Sequence, residues 1–339
     1  MITHRSRYAL PMRSEFTRRG FLGVAGASGL LVAAGRSAAP PAFAISGPVT
    51  VNHAFGQTVI PAPPKRVVSA GFTEHDDLLA MGVVPIATTK WYGTEPFGVW
   101  PWAQPRLGTA QPVLLNLDNG IQVDRIAELR PDLIVATNAG VDPDTYQQLS
   151  AIAPTIPQSG AAPFFEPWKD QATTIGEAVF KPARMQSLIA EVDSGFTAVA
   201  RMYPRFAGKK LLMLQGNTYW ENSVIAELPN WRTDFLTQMG FAIPDGIAPF
   251  GRGDDRAFIP LDQIGPVLDE ADVLVWRTES DADIAALLAD PNIAALRATQ
   301  EKRNVFTGNE LSGAIAFSSV LSYPVVAEQL PPLLAEALA

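Results

Sequence analysis

The residues best suited to chemistry in this sequence are aromatic and cationic side chains. The segment 91–102 holds Trp91, Tyr92, Phe97, Trp100 and Trp102, although aromatic residues make up only 9% of the chain. The further candidates are Asn138, Tyr219, Trp220, Arg252, Arg256, Trp276 and Arg277. Guanidinium groups offer a fixed fork of donors to planar oxygen acceptors, and aromatic rings offer apolar walls. This combination favours a binding site for an organic ligand that carries oxygen acceptors.

The sequence lacks the signatures of the commoner enzymes and metal sites. It contains no G-x-G-x-x-G, no G-x-x-x-x-G-K-[ST], no H-E-x-x-H and no G-x-S-x-G segment. It has no cysteine, and only His53 and His75 follow residue 44. Transition-metal sites usually need more imidazole or thiolate than this. We therefore expect no catalytic residues, no protein-held metal and no intrinsic cofactor.

Residues 1–44 have the three-part layout of an export signal. Thr17–Leu22 contains the twin arginines Arg18 and Arg19, residues 20–34 form a weakly apolar core, and Ala42-Phe43-Ala44 is a small-x-small cleavage site. The core is too short and too mild to span a bilayer stably. We expect the twin-arginine machinery to export the chain and cleavage to follow Ala44. Because cysteine is absent, we expect a periplasmic, extracytoplasmic or secreted protein without a lipid anchor.

The charge balance of residues 45–339 argues against phosphate-rich partners. Cleavage after Ala44 removes six of the 26 basic residues and one of the 34 acidic residues, which leaves a net charge of about −13. Such a surface repels nucleic acid and anionic lipid. We expect no nucleic-acid partner and a monomeric protein.

One long helix divides the chain. Between Lys181 and Tyr203 apolar residues recur at intervals of three and four, which predicts a helix with one buried stripe. Signals before this helix reappear after it in the same order. They are Lys65–Val68 and Lys209–Leu212, Asp76–Gly82 and Asp234–Gly240, Val123–Ile126 and Leu261–Ile264, and Pro131–Val135 and Ala271–Val275. The repeat predicts a first lobe (45–180), a connecting helix (181–205) and a second lobe (206–339).

Strand and helix signals alternate within each lobe. This pattern predicts an α/β fold with two Rossmann-like lobes and mostly parallel sheets, joined by the rigid helix. Ligands meet such sheets at the loops that follow the strands, where Trp91, Asn138 and Arg277 are expected. For Trp100 and Trp102 a hydrophobic cluster under a long loop is the alternative.

Two groups of arginines leave alternatives open. Arg277 either contacts the ligand or forms a salt bridge with Glu279 or Asp281. Arg252 and Arg256 lie in a Gly-rich loop that no recognised strand positions.

The chain resembles the periplasmic binding proteins that supply iron-siderophore, haem and cobalamin ABC importers. The segments that carry the resemblance are Val51–Thr58, Pro64–Val68, Leu78–Pro85, Gly98–Trp102, Ala127–Ile134 and Ala316–Ser322. They look most like the iron-siderophore branch. The resemblance implies a non-enzymatic protein that binds a ferric siderophore between its lobes, with Fe3+ held by the ligand, and delivers it to an ABC permease.

The resemblance also implies one permease-docking acid in each lobe, six residues before a helix-ending glycine. Asp76 and Asp234 occupy these places. Two alternatives remain. Haem or cobalamin could bind instead, with Tyr219 or His53 as a metal ligand, or the twin-arginine signal could export an enzyme.

Overall fold

The computed structural model describes residues 47–216, 219–253 and 255–339. The predicted export signal lies outside the described residues. None of the helices in the described ranges has the length and apolar character needed to cross a membrane.

The first lobe begins with a hairpin and continues as a parallel sheet. Its strands are β1 (Val49–His53), β2 (Gly56–Ile60), β3 (Val67–Ser69), β4 (Ala87–Thr89), β5 (Val113–Leu115), β6 (Leu133–Ala136) and β7 (Thr155–Pro157). Its helices are α1 (Glu74–Ala80), α2 (Val123–Leu129), α3 (Pro143–Ser150) and α4 (Trp168–Ala178), with 3-10 turns at Pro96–Gly98 and Gln104–Leu107. Strands β1 and β2 pair antiparallel, and the other five form a parallel sheet in the order β5-β4-β3-β6-β7.

The predicted connecting helix is α5 (Pro182–Met202). Pro182 occupies its first turn, where the missing N–H costs no hydrogen bond, and a 3-10 turn at Pro204–Phe206 follows it. The apolar stripe is buried at Met185, Leu188, Ile189, Val192, Phe196 and Val199. The periodicity in the sequence therefore identified both the helix and its buried face.

The second lobe contains a mixed sheet. Its strands are β8 (Leu211–Gln215), β9 (Ser223–Glu227), β10 (Gly251–Arg252), β11 (Arg256–Pro260), β12 (Val273–Arg277) and β13 (Asn304–Phe306). Its helices are α6 (Asp234–Gln238), α7 (Ile264–Leu268), α8 (Asp281–Ala289), α9 (Pro291–Ala294), α10 (Arg297–Gln300), α11 (Gly308–Phe317) and α12 (Tyr323–Ala337), with a 3-10 turn at Asp245–Phe250. The sheet order is β10-β11-β9-β8-β12-β13.

The predicted α/β class is confirmed, although this second sheet is mixed, whereas mostly parallel sheets were expected. Strands β8, β12 and β13 are parallel, whereas β9, β11 and β10 run antiparallel to their neighbours. The segment Phe241–Pro244 is not a strand of this sheet and makes only an isolated bridge, between Ala242 and Lys210. Strands β10 and β11 flank the Gly-rich loop, so the sheet does position Arg252 and Arg256.

One hydrophobic core continues through both lobes. It joins Leu78 and Leu79 of α1 to the stripe of α5 and to Leu311 and Leu330 of the C-terminal helices. Smaller cores cover the opposite faces of the two sheets. The shared core holds the strand ends of the two lobes in fixed relation to each other.

Candidate functional site

A cavity of about 250 Å³ lies where loops of the two lobes meet. Its lining residues are Trp91, Tyr92, Phe165, Gln215, Arg232, Arg256, Arg277, Glu279, Ser312 and Ala316. Trp91 and Tyr92 follow β4, while Gln215 and Arg277 end the neighbouring strands β8 and β12 in register. This position, beyond the carboxyl ends of parallel strands, is where ligands of α/β sheets are expected.

Aromatic rings form the wall contributed by the first lobe. The ring of Trp91 lies 4.7 Å from that of Tyr92, 5.0 Å from that of Phe165 and 5.6 Å from that of Phe72. Burial raises the pKa of the Tyr92 phenol, so the hydroxyl keeps its proton. Among the described residues, that buried hydroxyl has no hydrogen-bond partner. The wall is an apolar platform with one donor available to a ligand.

Three arginines form the wall contributed by the second lobe. Arg277 ends β12, Arg256 begins β11, and Arg232 lies just before α6. The Nη2 atom of Arg277 donates to Oε1 of Glu227 at 2.7 Å. The Nε atoms of Arg256 and Arg277 are buried without a hydrogen-bond partner in the described ranges. Buried donors that lack partners are costly, so these groups favour an anionic ligand in the cavity.

Arg232 joins the cationic and aromatic walls. Its guanidinium lies 4.3 Å from the ring centre of Trp231 and 5.1 Å from that of Phe165, within the range of cation–π attraction. Burial lowers the pKa of Arg232, and the nearby Glu227 and Asp255 partly oppose that effect. Arg232 remains charged, because an arginine pKa begins far above neutral pH.

Trp276 does not line the main cavity, although it lines a second pocket. It is 1% exposed, and its Nε1 donates to Oδ1 of Asn304 at 3.0 Å. Side chains alternate along a strand, so Trp276 points to the face opposite Arg277. Tyr219 lies beside it at a separate pocket of about 210 Å³, whereas Trp220 is 60% exposed and lines neither pocket.

Asn138 and Arg252 are also occupied elsewhere. Asn138 is 1% exposed, and its side chain donates to Thr73 and accepts from the backbone N–H of Phe165. It shapes the wall without lining the main cavity. Arg252 forms an exposed ion pair with Glu221, with Nη1 and Oε2 2.8 Å apart, outside the cavity lining. These two predicted ligand contacts are not supported by the structure.

The two docking acids differ in exposure. Asp234 is exposed at the start of α6. Asp76 is fully buried, and its Oδ2 accepts hydrogen bonds from Ser319 Oγ at 2.6 Å and Trp102 Nε1 at 2.8 Å. The predicted docking role of Asp76 is therefore wrong for this conformation, because its carboxylate cannot reach an arginine of another protein.

The alternatives for Trp100, Trp102 and Arg277 are also decided. Trp100 is 1% exposed and stacks on Trp102 at 5.1 Å, which confirms the hydrophobic cluster. Arg277 pairs with Glu227 rather than with Glu279 or Asp281. It nevertheless lines the cavity, so pairing and ligand contact are compatible.

Sequence reasoning missed Arg232, Phe165 and Glu227. The available signals were weak. Trp231-Arg232 precedes a helix signal, and Phe164-Phe165 is an aromatic pair in a loop rich in small residues. Glu227 could be found only by recognising β9 as a strand.

Neither histidine lines the cavity. In His53 both ring nitrogens are within hydrogen-bond distance of protein partners, namely Thr58, Tyr146 and the backbone N–H of Phe55. His75 is fully buried, and burial lowers its pKa to about 4. Within the ranges that the structure describes, no three histidine or acidic side chains form a group that could hold a metal ion.

The chain belongs to the periplasmic binding protein family, whose family model matches residues 67–311. A periplasmic solute binding protein of Mycobacterium smegmatis is 62% identical. The match covers 86% of this chain and 99% of that structure, with a TM-score of 0.82. This membership confirms the predicted family and the prediction of a binding protein rather than an enzyme.

Two more distant relatives extend the comparison. A probable siderophore-binding lipoprotein of Bacillus subtilis, YfiY, is 29% identical over 68% of each chain. The structure of Streptococcus pneumoniae PiaA in complex with ferrichrome is 23% identical, covers 86% of this chain and 98% of its own, and has a TM-score of 0.70. The second comparison establishes the shared fold.

Proposed function

We propose that this protein captures an anionic ferric siderophore in the cavity between its lobes and delivers it to an ABC permease. The observation that carries the proposal is the grouping of Arg232, Arg256 and Arg277 opposite the rings of Trp91 and Tyr92. A ferric chelate supplies its own oxygen ligands to iron, so the protein needs to contribute only donors and apolar walls. The siderophore-binding relatives support the ligand class.

Negative charge on the chelate is the finer part of this proposal. A neutral ligand offers weaker acceptors to the buried Nε donors of Arg256 and Arg277, whereas a chelate with carboxylate or catecholate oxygens would form charge-assisted hydrogen bonds with them. The aromatic wall would pack against the ligand's organic frame. Haem and cobalamin are less well matched, because His53 is engaged in the hairpin and Tyr219 lies at the other pocket.

For permease docking we propose Asp124 and Asp262 as the matched pair of acids. Both belong to one repeated signal, Val123–Ile126 and Leu261–Ile264, and both are exposed. Asp124 lies in the first turn of α2 and Asp262 just before α7. Each lobe thus presents one exposed carboxylate, whereas in the pair Asp76 and Asp234 only Asp234 is exposed. Changing both to alanine is expected to abolish uptake and leave ligand affinity intact, and normal uptake would remove this assignment.

We also infer export by the twin-arginine route, cleavage near Ala44 and a monomeric extracytoplasmic protein without a lipid anchor. Support comes from the sequence of residues 1–44, the absence of cysteine and the periplasmic family. Mass spectrometry of the exported protein tests cleavage and lipidation together. A mature N-terminus at Ile45 is expected, and an added lipid mass would contradict the proposal.

The binding proposal is tested by tryptophan-fluorescence titration of residues 45–339. The panel contains a ferric tricatecholate, ferric citrate, a ferric trihydroxamate, haem and cobalamin, with the metal-free form of each chelator as its control. We expect sub-micromolar saturation by an anionic ferric chelate and much weaker binding of its metal-free form. Preferential binding of haem or cobalamin would overturn the siderophore proposal and leave the fold assignment unchanged.

A further inference from the structure

One buried carboxylate lies behind all three arginines of the cavity. Glu227 is 3% exposed, and its Oε1 accepts the 2.7 Å hydrogen bond from Arg277. It is also the direct cross-strand partner of Arg256, since β9 and β11 pair with these two residues in register. Side chains that face each other in this way lie on the same side of the sheet. The charge of Glu227 also acts on Arg232, whose pKa it raises.

The other charges near the arginines are arranged differently. Asp255 lies 4.0 Å from Arg232 and 3.9 Å from Arg256, but its side chain is 45% exposed and its charge is screened by solvent. Glu279 lies in the cavity lining itself. Glu227 is therefore the fully desolvated anion of the group, and its second oxygen has no hydrogen-bond partner among the described residues.

Three guanidiniums that share one cavity repel each other. Arg277 and Arg256 each oppose the charge on Arg232. A buried negative charge offsets part of this repulsion and holds Arg277 in place while the cavity is empty. The same charge also repels any anion that enters, and it does so more strongly for a more highly charged ligand.

We propose that Glu227 is a positioning residue that holds Arg277 and sets how much negative charge the cavity accepts. The inference rests on the proposed binding of an anionic chelate. With Glu227 ionised, the cavity discriminates against trianionic ligands relative to a site with three unopposed arginines. Without that charge the preference shifts toward the most anionic ligand.

The test compares Glu227→Gln with the wild-type protein for a trianionic ferric tricatecholate and a neutral ferric trihydroxamate. Glutamine keeps an oxygen that can accept from Arg277 but removes the charge. We expect the ratio of the two affinities to shift toward the trianion by at least about tenfold, because removing the buried negative charge relieves its repulsion of the trianion and leaves the neutral chelate almost unaffected. The salt dependence for the trianion should also steepen.

Two further variants separate positioning by charge from simple support of the fold. Glu191→Gln removes an equivalent charge from the exposed surface of α5 and should leave the ratio unchanged. Glu227→Gln combined with Arg277→Gln removes both charges of the pair and leaves no unpaired buried charge, so it remains testable if the single variant does not fold. Because Arg277 lines the cavity, the double variant is compared with Arg277→Gln alone, and its affinity ratio should lie further toward the trianion by at least about tenfold.

Equal losses of affinity for both chelates in Glu227→Gln, with an unchanged ratio, would overturn this inference and leave the proposed function standing. If the wild-type protein binds no ferric chelate, the proposed function fails, and calorimetry with metal-free citrate then tests Glu227 alone. Binding of citrate at least about tenfold tighter by Glu227→Gln supports the charge-setting role. Equal citrate affinities, or no binding by either protein, overturn it.

Discussion

The acidic residues at the start of α1 provide a sharp prediction, because they are buried between the lobes. Asp77 is 1% exposed, and burial, with smaller contributions from Asp76 and Glu74, raises its pKa from 3.8 to about 8. Its Oδ2 accepts from Gln171 of α4 at 3.0 Å, while Oδ1 has no hydrogen-bond partner among the described residues. A protonated Asp77 is therefore the state that the folded protein favours at neutral pH.

This shift links stability to pH with a definite sign. Between pH 4 and pH 8 the folded protein holds a proton on Asp77 that the unfolded chain has lost, so stability falls as pH rises through that window. Asp77→Asn mimics the protonated side chain and keeps an oxygen for Gln171. The difference in free energy of unfolding between Asp77→Asn and wild type should therefore grow by about 3 kcal/mol in favour of the variant from pH 5 to pH 7. Each pH unit inside the window corresponds to about 1.4 kcal/mol for one proton.

Urea denaturation at pH 5, 6, 7 and 8, followed by tryptophan fluorescence and circular dichroism, measures this difference. Coincident transitions in the two signals are needed for a single free energy of unfolding. The control is Asp234→Asn, whose carboxylate is exposed, and its difference from wild type should stay constant within about 0.5 kcal/mol. If the free energies of unfolding of wild type and Asp77→Asn changed in parallel with pH, Asp77 would not carry a proton in the folded protein.

Three further predictions concern the site and its supports. Arg256→Gln should weaken binding of an anionic ferric chelate by about 10- to 100-fold and reduce the salt dependence of that binding. Fluorescence titration at two ionic strengths measures both effects, and an unchanged affinity would exclude contact between Arg256 and the chelate. Ser319→Val should lower the free energy of unfolding, measured by urea denaturation, by about 1–3 kcal/mol, because Asp76 loses a 2.6 Å hydrogen bond. A variant as stable as wild type would show that this hydrogen bond does not stabilise the fold. Gly216→Ala should destabilise the protein by about 2 kcal/mol or more and weaken chelate binding, since the added Cβ would lie 2.6 Å from the carbonyl of Arg277. Wild-type stability and affinity in that variant would contradict the close approach.

The sequence predicted the parts of the fold that local patterns encode. The stripe of α5 repeats at helical spacing and is buried from Met185 to Val199, whereas Tyr203, just beyond the helix, is half-buried. Strands β3, β6, β8 and β12 are short apolar runs, and their loops were located correctly. Strands β9 and β11 were missed because each is only five residues long and has a charged residue at one end, which leaves a weak strand signal.

The sequence predicted cavity residues only where they lie at or just after the end of a strand. Arg277 ends a strand that the sequence identified, Trp91 and Tyr92 follow β4, and all three line the cavity. Trp276 lies one step of strand alternation from Arg277, so its side chain is on the opposite face of the sheet and lines the second pocket instead of the main cavity. Arg232 reaches the cavity through a turn, and burial of Asp76 depends on Ser319, which is 243 residues away in the sequence. Such contacts follow from tertiary packing, which local patterns do not contain.

The most direct test of the account is a crystal structure of residues 45–339 grown with an anionic ferric chelate, with anomalous data collected at the iron edge. We expect one strong iron peak inside the cavity, with oxygens of the chelate in contact with Arg256 and Arg277 and its organic frame against Trp91 and Tyr92. An iron peak at the pocket beside Tyr219, or one bound directly by protein side chains, would contradict it.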